Sequence, residues 1–270
     1  MANIIKKKSK IKNKILIALV IVLIVAVVTF GLLWNRYLNK NSLLEKYETP
    51  NEQEVYLLGT LHENHFSKWF NYSMEDILSV VENLQPDVVF IEAREEYFKG
   101  YGVMDGPIDM AVVYSYCIDN DIPVEMVDWW VVDNGYQSNT TSNKRDDMIY
   151  VNIINKLETV NDTKILIVCG SGHFYKQTKR FLDNGFEEQK IKDKTAYFDS
   201  QDKEFEYPAS IEKIWEQRAY FYAYTYPKIV GQDKTLDDDI KAEFTDGNHD
   251  AFYDQQLKYC ELFSNNELYK

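Results

Sequence analysis

Cysteine is scarce in this 270-residue chain, and the three present (Cys117, Cys169 and Cys260) cannot all pair and fit no zinc-binding spacing. Neither a complete disulfide set nor a cysteine-based zinc site therefore orders the fold; Cys169, inside an apolar run, reads as a small core residue. Acidic residues are missing altogether from the first 40 positions, which hold eight of the 30 Lys and Arg. The rest of the chain sets 22 basic residues against 43 acidic ones, an excess of 21 negative charges. Such a field repels nucleic acid and anionic lipid headgroups and argues against a nucleic-acid role, whereas a cationic or peptide partner is tolerated. Most of these acids serve solubility. There is no internal repeat or low-complexity tract.

Several catalytic signatures are also missing. His62-Glu63-Asn64-His65 lacks the four-residue histidine spacing of the HExxH helix, which leaves His65 behind a site or on the surface. In Gly170-Ser171-Gly172, Cys169 stands where the nucleophile elbow G-x-S-x-G needs glycine, and Tyr175 stands where a dinucleotide fingerprint needs its third glycine. A phosphate nest at 170–172 stays open. His249, in Asp246-Gly247-Asn248-His249-Asp250, reads as a polar loop or cap residue.

What is present divides the chain. Ile15 to Trp34 is apolar except for Thr29 and Gly31, and its 20 residues match a hydrocarbon core about 30 Å thick. Six lysines (Lys6, Lys7, Lys8, Lys10, Lys12 and Lys14) precede it, which by the positive-inside bias keeps the N-terminus cytoplasmic and the rest outside. A cleaved signal peptide is the rival reading, but no small-x-small site follows, and Trp34-Asn35-Arg36-Tyr37 resembles an interfacial belt. The expected organisation is a cytoplasmic basic segment (1–14), one transmembrane helix (15–34), a polar stalk (35–53) and one extracytoplasmic domain (54–270).

That domain alternates strand and helix signals. Strands are expected at 55–59, 87–92, 123–128 and 164–169. Helices are expected from Ser73 to Pro86, with Ser73 and Asp76 in a capping arrangement, and at 108–118, 146–157 and 173–182. This pattern predicts an α/β fold with a mostly parallel sheet flanked by helices. The aromatic-rich tail, with helices at 210–226 and 249–265, predicts a helical C-terminal extension. Its rings line a peptide cleft or fill a core between helices and sheet.

Two Gly-x-x-His motifs, Gly59-Thr60-Leu61-His62 and Gly170-Ser171-Gly172-His173, each follow an apolar run. A glycine at a strand end permits a sharp turn, and the histidine can then point above the sheet edge. Glu92 ends the second expected strand and Asp128 the third, so all four converge on the carboxyl edge, where neighbouring strands lie about 5 Å apart. Two imidazoles with one or two carboxylates suit a divalent transition ion that keeps open positions for water. Taken singly, each acid reads as a helix cap or a solvated strand end.

Gly59-Thr60-Leu61-His62, Pro86-Asp87-Val88-Val89-Phe90-Ile91-Glu92, Val127-Asp128, Lys144-Arg145-Asp146-Asp147-Met148 and Gly170-Ser171-Gly172-His173 resemble, in order, the motifs of the TraB/PrgY/Tiki family, over roughly residues 54 to 185. The resemblance implies an α/β metallohydrolase fold related to the erythromycin esterase-like and ChaN-like proteins. Animal members are membrane-tethered metalloproteases dependent on manganese or cobalt that trim secreted signalling proteins; plasmid-encoded bacterial members reduce the activity of peptide pheromones. Carried over by position, it implies His62 and His173 as the paired histidines, Glu92 as their acidic partner and Arg145 as a charge-stabilising residue. Read locally, Arg145 is as well placed to pair with Asp146 or Asp147 at a helix start. The sequence departs from the family at Arg94, only two residues after the glutamate, and at Phe174-Tyr175-Lys176, which lacks a glycine. Members with C-terminal membrane segments differ from this N-terminal anchor.

The resulting expectation is a membrane-anchored, metal-dependent (Mn, Co or Zn) hydrolase cleaving an amide bond in a secreted peptide or small protein. The metal ligands would be His62, Glu92, His173 and Asp128, with Glu92 ligating or accepting a proton and Arg145 stabilising the oxyanion. Two other readings stand beside it: a non-catalytic surface protein capturing peptide, haem or metal, and a metal-independent esterase-like hydrolase with His62 as general base.

Overall fold

The protein is described by a computed structural model covering residues 2–135, 143–161, 163–201 and 203–268, with side chains from Ile15 onward except those of Arg36 and Tyr37. The lysine side chains of segment 1–14, and Arg36 and Tyr37 of the expected interfacial belt, lie outside this description.

Helix α1 (Ala2–Tyr37) contains the stretch Ile15–Asn35, long and apolar enough to cross a membrane. Twenty-one residues rising 1.5 Å each cover about 31 Å. The large apolar side chains from Ile15 to Leu33 are all exposed. The helix passes directly into a 3-10 turn, Lys40–Ser42, capped by the Asn39 side chain, which accepts from the Asn41 N–H at 3.1 Å. Strand β1 (Leu44–Glu48) follows at once.

The region expected as a stalk (35–53) is therefore folded into the domain. Leu43, Leu44 and Tyr47 are completely buried, although Glu and Lys surround them. Average polarity concealed a strand with few but decisive apolar positions.

The sheet has six strands in the order β4-β3-β5-β2-β1-β6, with β2 (Glu54–Thr60), β3 (Val88–Ile91), β4 (Val124–Met126), β5 (Lys164–Gly170) and β6 (Glu187–Gln189). The four expected strands, β2 to β5, are mutually parallel. β1 pairs antiparallel with β2 and with β6, so the sheet is mixed rather than mostly parallel throughout. Along β2, β3 and β5 consecutive residues are buried, and since neighbours point to opposite faces, both faces are covered.

The covering helices are α2 (Met74–Leu84), α4 (Ile108–Asp119), α5 (Asn143–Thr159) and α6 (Ser171–Asp183); a short helix without buried residues, α3 (Glu95–Tyr101), lies between β3 and α4. α2 opens with the expected capping box: Ser73 Oγ accepts the Asp76 N–H at 3.2 Å, and Asp76 accepts the Ser73 N–H at 2.8 Å. It closes at Gln85, whose left-handed φ of 49° turns the chain before Pro86.

The C-terminal extension is helical: α7 (Ile211–Tyr220), a π turn (Phe221–Thr225), α8 (Tyr226–Gln232), α9 (Asp238–Thr245) and α10 (His249–Ser264). Trp215 packs into the main core, while Phe221, Tyr226, Val230 and Leu236 build a second small core with Val103. Most tail aromatics thus fill cores. A cavity of about 560 Å³ remains beside them, lined in part by Tyr101, Tyr220, Phe221 and Tyr253.

Arg94 ties this extension to the sheet. Fully buried, it donates to Asp105 (2.6 Å), the Trp130 carbonyl (3.1 Å) and the Tyr222 hydroxyl (2.9 Å), and it lies between the rings of Tyr97 and Trp130 at 3.8 and 3.5 Å. Its role is structural.

Candidate functional site

The carboxyl ends of β2, β3, β4 and β5 bring together His62, Glu92, Asp128 and His173, and the first turn of α5 adds Arg145. Glu92, 3 % exposed, is the hub. Its Oε2 accepts the Gly170 N–H at 2.6 Å, and its Oε1 accepts Arg145 Nη2 at 2.8 Å and lies 3.3 Å from His173 Nε2. Burial pushes the Glu92 carboxyl up, but the His173 hydrogen bond and the charges of His173, His62 and Arg145 outweigh it and hold Glu92 well below the usual carboxylate range.

Each histidine is held from behind by a buried aspartate. His62 Nδ1 is 3.1 Å from both carboxylate oxygens of Asp109, in the first turn of α4. His173 Nδ1 is 2.7 Å from Asp146 Oδ1, and Lys176 bonds the other oxygen at 2.6 Å. Despite burial, which opposes protonation, these carboxylates and Glu92 push both imidazoles up to about 9. With Nδ1 engaged, each ring has Nε2 left to face the site.

The two motif glycines serve space rather than turning. Neither adopts a positive φ; it is His62 that does, at 52°, a left-handed conformation uncommon outside glycine. A Cβ on Gly170 would stand 2.6 Å from His62 Nε2 and 3.3 Å from Glu92 Oε2. Both donor atoms thus lie within one small radius of the same point. A Cβ on Gly59 would meet Leu43 at 2.9 Å and Phe174 at 3.1 Å, so this glycine lets α6 and the chain before β1 close on β2.

Asp128 and Arg145 form a bidentate pair, Nε to Oδ1 at 2.9 Å and Nη2 to Oδ2 at 2.8 Å. Both Asp128 oxygens are therefore directed at the guanidinium rather than at the histidines. Arg145 pairs with neither Asp146 nor Asp147, which bond His173 and Arg180 instead. Burial pushes Asp128 up, Arg145 opposes this, and the Glu92 charge adds to it.

His65 is not a surface residue. It is completely buried, accepting the Leu61 N–H on Nε2 at 2.7 Å and donating Nδ1–H to the Tyr72 carbonyl at 2.8 Å. Both nitrogens being used, and burial lowering its pKa, it is a neutral clamp on the segment after β2. His249 is the first residue of α10, its Nε2 3.1 Å from the Thr245 carbonyl, away from the cluster.

Asp109 and the pairing of Asp146 with His173 escaped the sequence reading. Asp109 had a signal, a lone acid in the apolar run Ile108-Asp109-Met110-Ala111-Val112-Val113, where it is 0 % exposed. The donor set, two aspartate-held imidazoles facing one glutamate, is chemically suited to a transition ion. As arranged, however, Glu92 contacts His173 and Arg145 directly, and no three His, Cys, Asp or Glu side chains among the described residues form a group that could hold a metal. The chain matches no family model, and no curated protein or solved structure matches it significantly.

Proposed function

We propose that this chain is a membrane-anchored hydrolase whose active site is the cluster around Glu92, and that it acts outside the cell membrane on an amide bond of a peptide or small protein. The observation that carries this reading is the pair of Asp–His couples, Asp109–His62 and Asp146–His173, arriving from separate strand ends at one buried glutamate. A structural ion-pair network has no need to strain the backbone at His62 or to leave that side chain a third exposed.

His62, His173 and Glu92 would hold the divalent ion that the TraB/PrgY/Tiki resemblance implies, after Glu92 and His173 part. Such an ion supplies a polarised carbonyl and a more acidic water. Arg145, fixed by Asp128, presents its guanidinium where negative charge develops, and Asp109 and Asp146 set the orientation and tautomer of the imidazoles.

A second reading is favoured by the Asp109–His62 couple itself: a carboxylate-oriented imidazole is also the arrangement of a general base acting without metal. Metal analysis of the purified chain, with a peptide-cleavage screen with and without Mn²⁺, Co²⁺ or Zn²⁺, decides between them. Turnover abolished by chelation and restored by one ion supports the first reading. Turnover indifferent to chelation supports the second, and metal or peptide binding with no turnover leaves the non-catalytic surface binder.

A further inference from the structure

The site-bearing edge of the sheet is also the edge at which the chain leaves its apolar helix. β1 runs antiparallel to β2 with Leu44 opposite Leu58 and Glu48 opposite Glu54, so β1 begins beside the carboxyl end of β2. Between Asn35, the end of the membrane-length stretch, and Leu44 there is only a short, hydrogen-bonded turn: the Leu38 N–H donates to the Trp34 carbonyl at 3.0 Å, and the Leu43 N–H to the Lys40 carbonyl at 3.0 Å. Ordered linkage of this kind allows the domain little freedom to stand away from the bilayer.

A second segment reaches the same level. The loop from Ser67 to Tyr72 follows the turn that carries His62, and its Phe70 ring stacks on Trp34 at 5.9 Å between centroids and 12° between planes. Beside Phe70, Trp69 is 84 % exposed, the most exposed large apolar side chain among the described residues, those of α1 included. Lys68, next to it, is exposed too. The loop is not loose: His65 bonds the Tyr72 carbonyl, and the Tyr72 hydroxyl donates to the Gly59 carbonyl at 2.9 Å. A rigid loop showing Lys-Trp to solvent, level with the end of a membrane-length helix, has the chemistry of the headgroup layer, where tryptophan and lysine are favoured.

We infer that the carboxyl edge of the sheet docks on the bilayer through the Lys68-Trp69-Phe70 loop, and that the site works on chains lying at the membrane surface. This rests on α1 being a membrane anchor. Six residues lie between His62 and Trp69, a span of at most about 25 Å, so the substrate class is a juxtamembrane or membrane-adsorbed segment rather than a peptide free in bulk solvent.

The full chain in phosphatidylcholine nanodiscs tests this. In a Cys260→Ser background, a fluorophore on Lys68→Cys is compared with one on Asn184→Cys, at the C-terminal end of α6 and hence on the opposite edge of the sheet. Doxyl-labelled lipid should quench the label at 68 several-fold more than the label at 184, iodide should do the reverse, and Trp69→Asp should remove most of the difference. Equal quenching at the two positions in a chain that stays in the disc overturns the docking while leaving the anchor intact. Loss of the chain from the disc, or its release from membranes by alkaline carbonate, overturns both.

Discussion

Gly170 is the residue on which the site's geometry is most sharply set. A methyl group there would stand 2.6 Å from His62 Nε2 and 2.8 Å from Cε1, and the imidazole cannot yield without leaving Asp109 or turning from Glu92. Gly170→Ala is expected to lower kcat/KM by about 100-fold, the scale of an ångström-sized misplacement, while far-UV circular dichroism stays unchanged. A variant with full activity would show that His62 is not where catalysis needs it. Asp109→Asn and Asp146→Asn keep the volume but remove the charge behind each imidazole; a loss of about 10- to 100-fold in metal affinity or activity is expected. Isothermal titration with Mn²⁺, Co²⁺ or Zn²⁺ measures it, and an unchanged affinity would count against the donor set.

The same residues fix a pH dependence. Both imidazoles are pushed up to about 9 from an ordinary 6.5, so the metal-free folded chain holds protons between these values that the unfolded chain has released. Their contribution to stability is complete below about pH 6.5 and lost as pH rises through about 9. Metal ligation needs neutral imidazoles, so affinity should rise across that window with release of protons. Urea midpoints of chelated protein at pH 6, 7.5 and 9 (chosen to bracket the shift, about one unit apart or more) should therefore fall, and midpoints that rise would contradict the pairing with Asp109 and Asp146.

At the scale of elements, the four parallel strands and the capping box were legible and the antiparallel end of the sheet, β1 and β6, was not. β2 and β5 are unbroken apolar runs because both their faces are covered, and this burial is what writes a strand plainly into a sequence. β1 reads Leu-Glu-Lys-Tyr-Glu and β6 Glu-Glu-Gln, short and half solvated, with pairing supplied by neighbours rather than by their own pattern. The site was legible to the extent that strand-end residues carry it: His62, Glu92 and His173 lie together. The partners that orient them come from helix starts, where an acid ordinarily reads as helix polarity. Arg94 shows the limit from the other side, since only tertiary structure reveals Asp105, Trp130 and Tyr222 around it. Arg94→Met leaves Asp105 buried without its cation and is expected to cost about 3–5 kcal/mol in denaturant unfolding, whereas Ser73→Ala, which removes one cap, costs about 1 kcal/mol. An Arg94→Met chain as stable as the parent would mean that the extension is not tied through this residue.

For the whole molecule, charge and hydrophobicity are arranged along one axis. Six lysines and no acids precede the apolar stretch, Arg36 and Lys40 follow it, and residues 41–270 carry the excess of 21 negative charges. A bilayer crossed by such a chain is expected to keep the lysine-rich end in the cytoplasm, because lysines adjoining the span resist translocation while acidic domains cross with little regard to charge. Protease added to intact cells should then digest the domain, and a membrane-impermeant amine reagent should label domain lysines but not those at 6 to 14. Because Trp34 stacks on Phe70 and the linker is hydrogen-bonded rather than extended, cleavage should be slow between residues 35 and 44 compared with the exposed loops farther along the chain. Protection of the domain in intact cells, with digestion only after lysis, would reverse the orientation. The cluster around Glu92 would then face cytoplasmic substrates.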